Sequence, residues 1–544
     1  MRERLRIQLV LNCGGSKHEI PGANIRAVAL ELRPWGGEGT VEFVVQDDQA
    51  LGGKYSDELC PDFAKPDLMS VQLQLEAGHT DTEAEPSSTP LITSGIVCER
   101  SVTEQIWPRQ LGEASVLVRR YRIKFLDPAH ALWQGHFPCG LHTKASFKSV
   151  IEAHKGTRLN FEYDWEALEA EVPQIFYQLS SHGSASYYDW VIWCLAERGG
   201  HLLFDHGAER YRLCASKPEP EDSGKLRREE IAELTAHFCG VVRHYPRIRN
   251  SYAGEPRSVL GTNPNAEEGL YSDVMLETPI AKDVDDAVAV ANARLSAPRQ
   301  ELHLTLAKYP SALLVPGAGV LVPALQNGSP ELLGGQLVLR VASLSLSATN
   351  TSDAPDVGYG EPDAGFLASM TCVLEDARDP VAHLPTVPSP NYPGHLEGKI
   401  VCEVGEEKDL TYDYATDEQS SISAYRVKIP LFDDQEVQVP FEPATGTSNL
   451  YFPLYKDQRV LVALNRSNAW IERLLEWRPE LLTAKERQGQ QLIFGKSKEN
   501  GTSLLHDYDG ENPVLQLLRT NKKDSALLRL EEGKLLLKVE EQKG

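Results

Sequence analysis

The sequence contains no apolar run close to the ~20 residues that a helix needs to cross a bilayer. The basic N-terminus is followed only by the short stretch LRIQLVL, which Arg6 and Gln8 interrupt, and no small-residue cleavage site comes after it. This pattern predicts a first β-strand rather than a signal peptide. We therefore expect synthesis in the cytoplasm without a signal peptide.

Positive charge is scarce. The chain has 55 Lys and Arg against 78 Asp and Glu, which gives a net charge of −23. Because contacts to phosphate need clustered Lys and Arg, this balance opposes a nucleic-acid partner. Cysteine is also sparse, with nine residues scattered along the chain. An odd, dispersed set predicts reduced and mostly buried thiols.

The motifs of the common enzyme classes are missing. No Walker loop, no G-x-G-x-x-G after a strand, no HExxH and no G-x-S-x-G elbow occurs. This absence favours a protein without enzymatic activity and without a cofactor.

Two stretches nevertheless carry residues with possible chemistry. GHFPCGLH places His136, Cys139 and His142 at a spacing that would offer three zinc ligands, although Pro138 and Gly140 equally suit a chain bend. FEYDWEALEAE contains carboxylates that could form a glycosidase pair. Solvated acidic residues are more common than such pairs, so we expect neither a metal nor a catalytic site.

Most of the chain has the period-two alternation of β-strands. In AYRVKIPLF, for example, Tyr425, Val427, Ile429 and Leu431 fall on one face. Helical patterns are few, and they cover residues 143–156, 187–198 and 228–239.

The helix in SASYYDWVIWCLAERGGHLLF has local signals at both ends. Ser186 and Asp189 predict a capping box, and Gly199 with Gly200 predicts the stop. HLLF then follows as a strand. The helix spacing predicts a buried stripe formed by Tyr187, Trp190, Val191, Cys194 and Leu195.

The last 150 residues form two further modules. Short strands with the spacing of a small OB-type barrel come first, with barrel residues Ile400, Cys402, Val404, Val427, Ile429, Val460 and Val462. The strands after them include two predicted hairpin turns, Asn500-Gly501 and Asp509-Gly510. The final strands carry apolar residues that one thin chain cannot bury, namely Leu528, Leu530, Leu535, Leu537 and Val539. We expect these residues to form the core of a trimeric needle.

Four segments resemble the valine-glycine repeat (VgrG) spike proteins of type VI secretion and the related hub-and-spike proteins of phage-tail-like contractile injection particles. YYDWVIWCLAERGGHLLFDH (187–206) is similar to the family's helix, stop and strand, which implies that the buried stripe of this helix packs the hub. HLEGKIVCEVGEE and YRVKIPLF resemble strands of its barrel, and FGKSKENGTSLLHDYDGE resembles the start of its β-prism. The long valine-glycine repeat of the family is absent.

The resemblance implies a mainly β fold: paired hub β-barrel-like domains with short helices, then an OB-fold barrel, then a short triple-stranded β-prism or β-helix formed by a homotrimer. The predicted divisions are a first hub domain (1–215), a second hub barrel (216–375), a Pro-rich linker (376–394), the OB-fold domain (395–480) and the needle (481–544).

The resemblance also implies partners and a role. The expected partners are two further copies of the chain, the tail tube protein, baseplate proteins, a PAAR-like tip protein, effector cargo, and a target membrane in transient contact. The chain would cap the tail tube within the baseplate and be expelled on contraction.

Two alternatives stay open at this stage. One is a carbohydrate-active or peptidoglycan-cleaving β-protein that uses Asp164, Glu166 or Glu171. The other is a multi-domain β-rich ligand-binding protein or adhesin.

Overall fold

The structure, a computed structural model, describes most of the chain: residues 1–48, 54–78, 89–108, 115–183, 185–295, 300–323, 338–380, 383–406, 410–417, 421–443, 449–477, 489–497 and 499–541. It is mainly β, as the sequence predicts. Among these residues, no helix has both the length and the apolar character that crossing a bilayer requires.

The elements are numbered in chain order. The first part of the chain forms β1 (Arg2–Cys13), β2 (Ser16–Pro21), β3 (Ile25–Arg33), β4 (Gly36–Asp47), α1 (Leu59–Phe63), β5 (Met69–Ala77), β6 (Leu91–Trp107), β7 (Val116–Leu126) and α2 (Pro128–Trp133). The next part forms β8 (Cys139–Ser146), α3 (Phe147–His154), β9 (Asn160–Asp164), β10 (Glu171–Gln178), α4 (Tyr187–Arg198), β11 (His201–Asp205) and β12 (Arg210–Cys214).

The third part forms β13 (Ser223–Lys225), β14 (Ile231–His237), β15 (Tyr245–Asn250), β16 (Arg257–Leu260), β17 (Tyr271–Leu276), α5 (Ala281–Arg294), β18 (Glu301–Leu306), β19 (Gly319–Leu321), β20 (Leu339–Asn350) and β21 (Asp363–Asp376). The last part forms β22 (Gly394–Val401), β23 (Ala415–Thr416), β24 (Ser423–Ile429), β25 (Gln435–Pro440), β26 (Arg459–Leu464), β27 (Ala469–Leu474), β28 (Gln490–Ser497), β29 (Asn500–Asp509), β30 (Asn512–Asn521), β31 (Asp524–Glu531) and β32 (Lys534–Glu541).

The chain divides into two compact units. The first comprises residues 1–139, 146–171 and 178–391, and the second comprises residues 140–145, 172–177 and 392–544.

The first unit is built on a closed ring of strands. In the order β20-β3-β4-β7-β6-β5-β1-β21 each strand pairs with the next, and β21 pairs back with β20. Alternate residues point inward, as in β1, where Leu5, Ile7, Leu9 and Leu11 are almost fully buried. The ring closes because its first and last strands are both long and apolar on one face.

This ring differs from the predicted division at residue 215. Strands from the predicted first hub domain pair with strands from the predicted second, as β3 does with β20 and β1 with β21. Pairing between strands so distant in sequence leaves no local signal, so composition breaks alone suggested a border there.

The segment 228–239, where the sequence pattern predicted one helix, begins with a 3-10 turn (Arg228–Glu230) and continues as β14. Within it, β14 pairs antiparallel with β18. Glu, Ala and Leu favour a helix locally, but pairing with the edge of the sheet decides the conformation here.

The second unit contains two sheets and a small ribbon. β22 lies between β24 and β26, with β23 and β25 on β24 and β27 on β26. The strands β28 to β32 form a separate antiparallel meander. The ribbon consists of β8 and β10, whose central residues belong to this unit although they lie early in the sequence.

Candidate functional site

The C-terminal meander is the most distinctive surface of the chain. Its register places Leu528 opposite Leu537, Leu530 opposite Leu535, and Ala526 opposite Val539. Residues directly opposite one another face the same side of a sheet, so the predicted needle residues share one face. We call this surface the needle face.

The needle face extends across all five strands of the meander. Leu492 lies opposite Leu504, Leu504 opposite Leu517, and Leu517 opposite Leu528. Among the described residues of this sheet, the register places every exposed large apolar side chain except Leu536 on this face: Leu492, Phe494, Tyr508, Leu515, Leu517, Leu530, Leu535, Leu537 and Val539.

The exposure increases toward the end of the chain. Leu537 is 72% exposed and Val539 is 75% exposed in the single chain. A contiguous apolar surface of this kind marks an interaction site in a soluble protein. The needle face therefore needs a partner that covers it.

The turns of the meander match the sequence signals only in part. Gly510 and Gly533 adopt positive φ angles in the turns after β29 and β31, where glycine carries no steric cost. Asn500-Gly501, predicted as a turn, instead begins β29 and pairs with Asn521 and Thr520. The chain reverses direction before Asn500, because Ser497 pairs with Asn500. The sequence therefore predicted a turn in this region but assigned it to the wrong residues.

The barrel residues predicted from sequence lie mostly in one core. Ile400, Val427, Ile429, Val460 and Val462 are fully buried together, and Cys402 is 4% exposed. Val404 lies beyond the end of β22 and is 52% exposed, so it takes no part in this core. Leu431 also leaves its predicted face, because a short 3-10 helix replaces the strand after Ile429.

Two members of this core come from outside the segment 395–480 that the sequence predicted as the barrel. Leu141 from β8 and Phe176 from β10 pack with the barrel residues and are almost fully buried. The backbone N–H of Phe176 donates to the carbonyl of Arg466 at 2.8 Å, and the Gln174 amide donates to the carbonyls of Asn465 and Asn468. The only sequence signal for Phe176 is the short apolar run IFY, which does not indicate what it packs against, and Leu141 lies in the bend-like stretch GHFPCGLH.

The helix α4 has the predicted caps. The Ser186 hydroxyl accepts a hydrogen bond from the backbone N–H of Asp189 at 3.2 Å, and the Asp189 carboxylate accepts from the N–H of Ser186 at 2.8 Å. Gly199 ends the helix with φ 72°. The residues predicted for hub packing, Tyr187, Trp190, Val191, Cys194 and Leu195, are all buried.

The sequence-based zinc candidates have other partners. His136 Nε2 lies 3.0 Å from Nδ1 of His154, and His142 Nε2 lies 2.9 Å from the Tyr177 hydroxyl. Cys139 is exposed. Burial lowers the pKa of both His136 and His142, which favours their neutral form.

The acidic candidates are ordinary surface groups. Asp164, at the end of β9, forms an ion pair with Arg212, and its side chain is 57% exposed. Glu166 lies in a 3-10 turn and Glu171 begins β10, both with exposed side chains.

A buried ionic cluster lies at the end of the barrel in the first unit. Glu375 accepts hydrogen bonds from the Lys217 ammonium at 2.9 Å and from Arg340 Nε at 2.7 Å. Arg340 also donates to the carbonyls of Ala377 and Asp379, which holds the start of the predicted linker. We call these residues, together with His383, the linker cluster.

Titration in the linker cluster is strongly shifted. Burial alone would raise the pKa of Glu375, but hydrogen bonds from His383 and Lys217 and the charge of Arg340 lower it to about 2. Hydrogen bonds to Asp379 and Glu375 raise the pKa of His383 to about 9. Glu375 is therefore ionised and His383 protonated at neutral pH.

No protein-family model matches the sequence, and no curated protein matches it significantly. Solved structures do match. A chain of a lidless PdpA–VgrG complex superposes with a TM-score of 0.73 at 15% identity, covering 99% of each chain. A chain of the lidded Francisella PdpA–VgrG complex gives the same score and identity, covering 99% of this chain and 80% of that one.

A chain of the half-lidded Francisella complex also matches at a TM-score of 0.73, with 14% identity over 98% of this chain and 88% of that one. Identities this low carry no information about individual residues. Agreement along nearly the whole length nevertheless fixes the order of the modules. The resemblance inferred from the sequence is thus confirmed at the level of the fold: the chain has a fold of the VgrG-type spike proteins.

Proposed function

We propose that this chain is the hub and spike of a contractile injection machine and that it works as a homotrimer. The observation that carries the proposal is the fold shared over 99% of both chains with a PdpA–VgrG complex. The succession along the chain of the strand ring, the sheet of β22 to β27 and the C-terminal meander supports this proposal.

The needle face supports the trimer. A single sheet of five strands offers nothing to cover Leu535, Leu537 and Val539, each more than 60% exposed. Three copies of the same sheet can turn these faces toward a common axis, which buries all of them and protects the strand edges. The physical driving force is the removal of apolar surface from water.

The proposed work is mechanical. Contraction of a sheath would drive the trimer forward into a target membrane, and a closed set of strands resists force because many backbone hydrogen bonds must break together. The proposed partners are the tail tube, baseplate proteins, a PAAR-like tip protein at the end of the needle, and cargo. We propose no enzymatic activity and no cofactor for this role.

Solution mass tests the proposal directly. Light scattering on the full-length chain should give a mass three times 60.3 kDa. A version that ends at Arg478 lacks the meander and should give the mass of a single chain. A folded, monodisperse monomer of the full-length protein across the micromolar range would contradict the trimer.

The truncated version needs its own folding control. Its circular dichroism should retain the β signal of the hub and barrel, because neither core contains residues from the meander. If the truncated version is folded and still trimeric, the site of assembly lies outside the needle face.

A further inference from the structure

A second surface brings together side chains of the kind that bind transition metals. His237 ends β14, Cys239 follows two residues later, and Glu301 begins β18. The imidazole, thiol and carboxylate each offer a ligand atom, and these atoms lie within 4.8 Å of one another. All three belong to the first unit.

Strand pairing explains why these side chains meet. His237 lies directly opposite Glu301 in the antiparallel register, and Thr235 lies opposite His303. His237, Glu301 and His303 therefore face the same side, whereas Leu302 and Leu304 point into the barrel core, each 1% exposed. The ladder fixes the positions of His237, Glu301 and His303, and Cys239 lies two residues beyond the end of β14.

His303 lies at the margin of the group. Its Nε2 is 3.7 Å from a carboxylate oxygen of Glu301, and its ring centroid is 5.8 Å from that of His237. Ligand atoms in a tetrahedral zinc site lie about 3.2–3.8 Å apart, given zinc bonds of about 2.0–2.3 Å. The ligand atoms of His237, Cys239 and Glu301 lie within 4.8 Å of one another, and a change of rotamer would bring His303 in as the fourth ligand.

The charges also suit a divalent cation. A thiolate and a carboxylate supply two negative charges, and two neutral imidazoles complete a set of nitrogen, sulfur and oxygen ligands that zinc prefers.

The linker cluster provides a contrast within the same chain. Glu375, Asp379 and His383 also offer ligand atoms within 4.8 Å of one another. There, however, the Lys217 ammonium and the Arg340 guanidinium already bind Glu375. A cation would have to displace two buried positive charges, so that cluster is better explained as an ionic one.

We propose that His237, Cys239, Glu301 and His303 bind one zinc-class divalent cation per chain. The metal would tie the edge strand β14 to β18 and fix the segment that follows β14. This segment leads into the small domain of β15, β16, β17 and α5, and the chain returns from that domain at Glu301. The proposal does not depend on the hub-and-spike function.

Cobalt(II) titration of the full-length protein tests the site. The protein is prepared without a polyhistidine tag and with its thiols reduced. We expect one Co²⁺ per chain, with the intense visible bands of tetrahedral cobalt and a thiolate-to-cobalt charge-transfer band. Absence of both sets of bands from the wild-type spectrum at one equivalent overturns the proposal, whatever the variants do.

Single substitutions then assign the ligands. Cys239→Ser should abolish the charge-transfer band, and His237→Ala and Glu301→Gln should each weaken Co²⁺ binding at least tenfold. His303→Ala should remove the tetrahedral visible bands. Persistence of the charge-transfer band in Cys239→Ser would overturn the site, and an unchanged spectrum of His303→Ala would overturn the fourth ligand.

Two matched controls use the same residue types elsewhere. Cys98 is an exposed thiol in β6, and His182 is an exposed imidazole on a turn. Cys98→Ser and His182→Ala should leave the spectrum and the cobalt affinity unchanged. A loss of binding in either control as large as in the cluster variants would show that the cobalt binds nonspecifically.

Discussion

At the scale of single residues, the chain places its strongest electrostatic interactions at the start of the linker. Lys217, Arg340 and Glu375 are nearly inaccessible to solvent, and removal of any one would leave buried charge without its partner. A buried ionic cluster of this kind is costly to retain for stability alone. From its position, we infer that the cluster fixes the point at which strand β21 ends and the linker begins.

The stabilisation that His383 contributes should be lost as the pH becomes alkaline. Its pKa is raised to about 9 by Asp379 and Glu375, against about 6.5 in an unfolded chain. A raised pKa in the folded state stabilises the protonated form. The contribution is therefore complete below about pH 6.5 and is lost as the pH rises through about 9.

The measurement is the difference in melting temperature between the wild type and His383→Gln at pH 6, 7.5 and 9.5. We expect the difference to be largest at pH 6 and to shrink with rising pH. The charged and titratable groups around the His383 ring are Lys217, Arg340, His201, Glu375 and Asp379. The same pH series on the exposed His182→Gln variant supplies the baseline. A constant difference would contradict the assigned ion pairs.

At the scale of elements, α4 shows how far local signals reach. Its capping box, its buried stripe and its terminal glycine all lie within the helix itself, and each was predictable from sequence. The prediction of a helix in the segment that forms β14 was wrong for the converse reason, because the partner strand β18 lies far along the chain. Strand pairing is a property of two segments, and one segment does not carry it.

Loss of the α4 cap should have a measurable and limited cost. Ser186→Ala removes the acceptor for the Asp189 N–H, which should destabilise the first unit by about 1 kcal/mol. Urea denaturation followed by tryptophan fluorescence gives the value. Ser272→Ala, in the exposed strand β17, should change stability by less than about 0.5 kcal/mol. Equal effects would argue against the cap.

The β8–β10 ribbon makes a similar point about packing. Leu141 and Phe176 fill the barrel core, yet no pattern in their own stretch names the strands that they contact. The same limit hid the cluster of His237, Cys239 and Glu301, because these side chains come from two segments that lie far apart in the sequence. Sequence reasoning looked for metal ligands within one stretch, and the ligands it found there have other partners.

Phe176 should be essential to the second unit. Phe176→Ala removes a fully buried ring from the barrel core and should destabilise that unit by about 3–5 kcal/mol. Limited proteolysis should then cleave the barrel segment 394–477 earlier than in the wild type. The exposed Phe238→Ala, 63% accessible, is the control and should not change the cleavage rate. Unchanged protection in Phe176→Ala would contradict the ribbon's role.

At the scale of the whole molecule, the two predicted borders relate differently to the compact units of the structure. The border near residue 391 agrees with the Pro-rich segment, whereas the predicted border at 215 cuts through one closed ring of strands. A Pro-rich linker can be recognised from its amino-acid composition. Pairing between strands from distant parts of the sequence leaves no such local signal. Module order survives at 15% identity because it needs only the succession of strand patterns.

The last prediction concerns the proposed trimer and compares substitutions at two neighbouring positions of β32. Leu537 lies on the needle face, and Leu536 points to the opposite side of β32. Leu537→Asp would place three charges near the proposed axis and should cost several kcal/mol of trimer stability, since an unpaired buried charge is expensive. Leu536→Asp introduces the same charge on the face that points away from the axis and should cost far less.

Light scattering and thermal melting of the two variants distinguish these outcomes because size and chemistry are matched. We expect Leu537→Asp to dissociate at protein concentrations where Leu536→Asp and the wild type stay trimeric. If Leu537→Asp is as trimeric and heat-resistant as the parent, the needle face does not form the trimer core. If only Leu536→Asp dissociates, the trimer packs through the face that carries Leu536. The needle face would then have to be covered by a different partner.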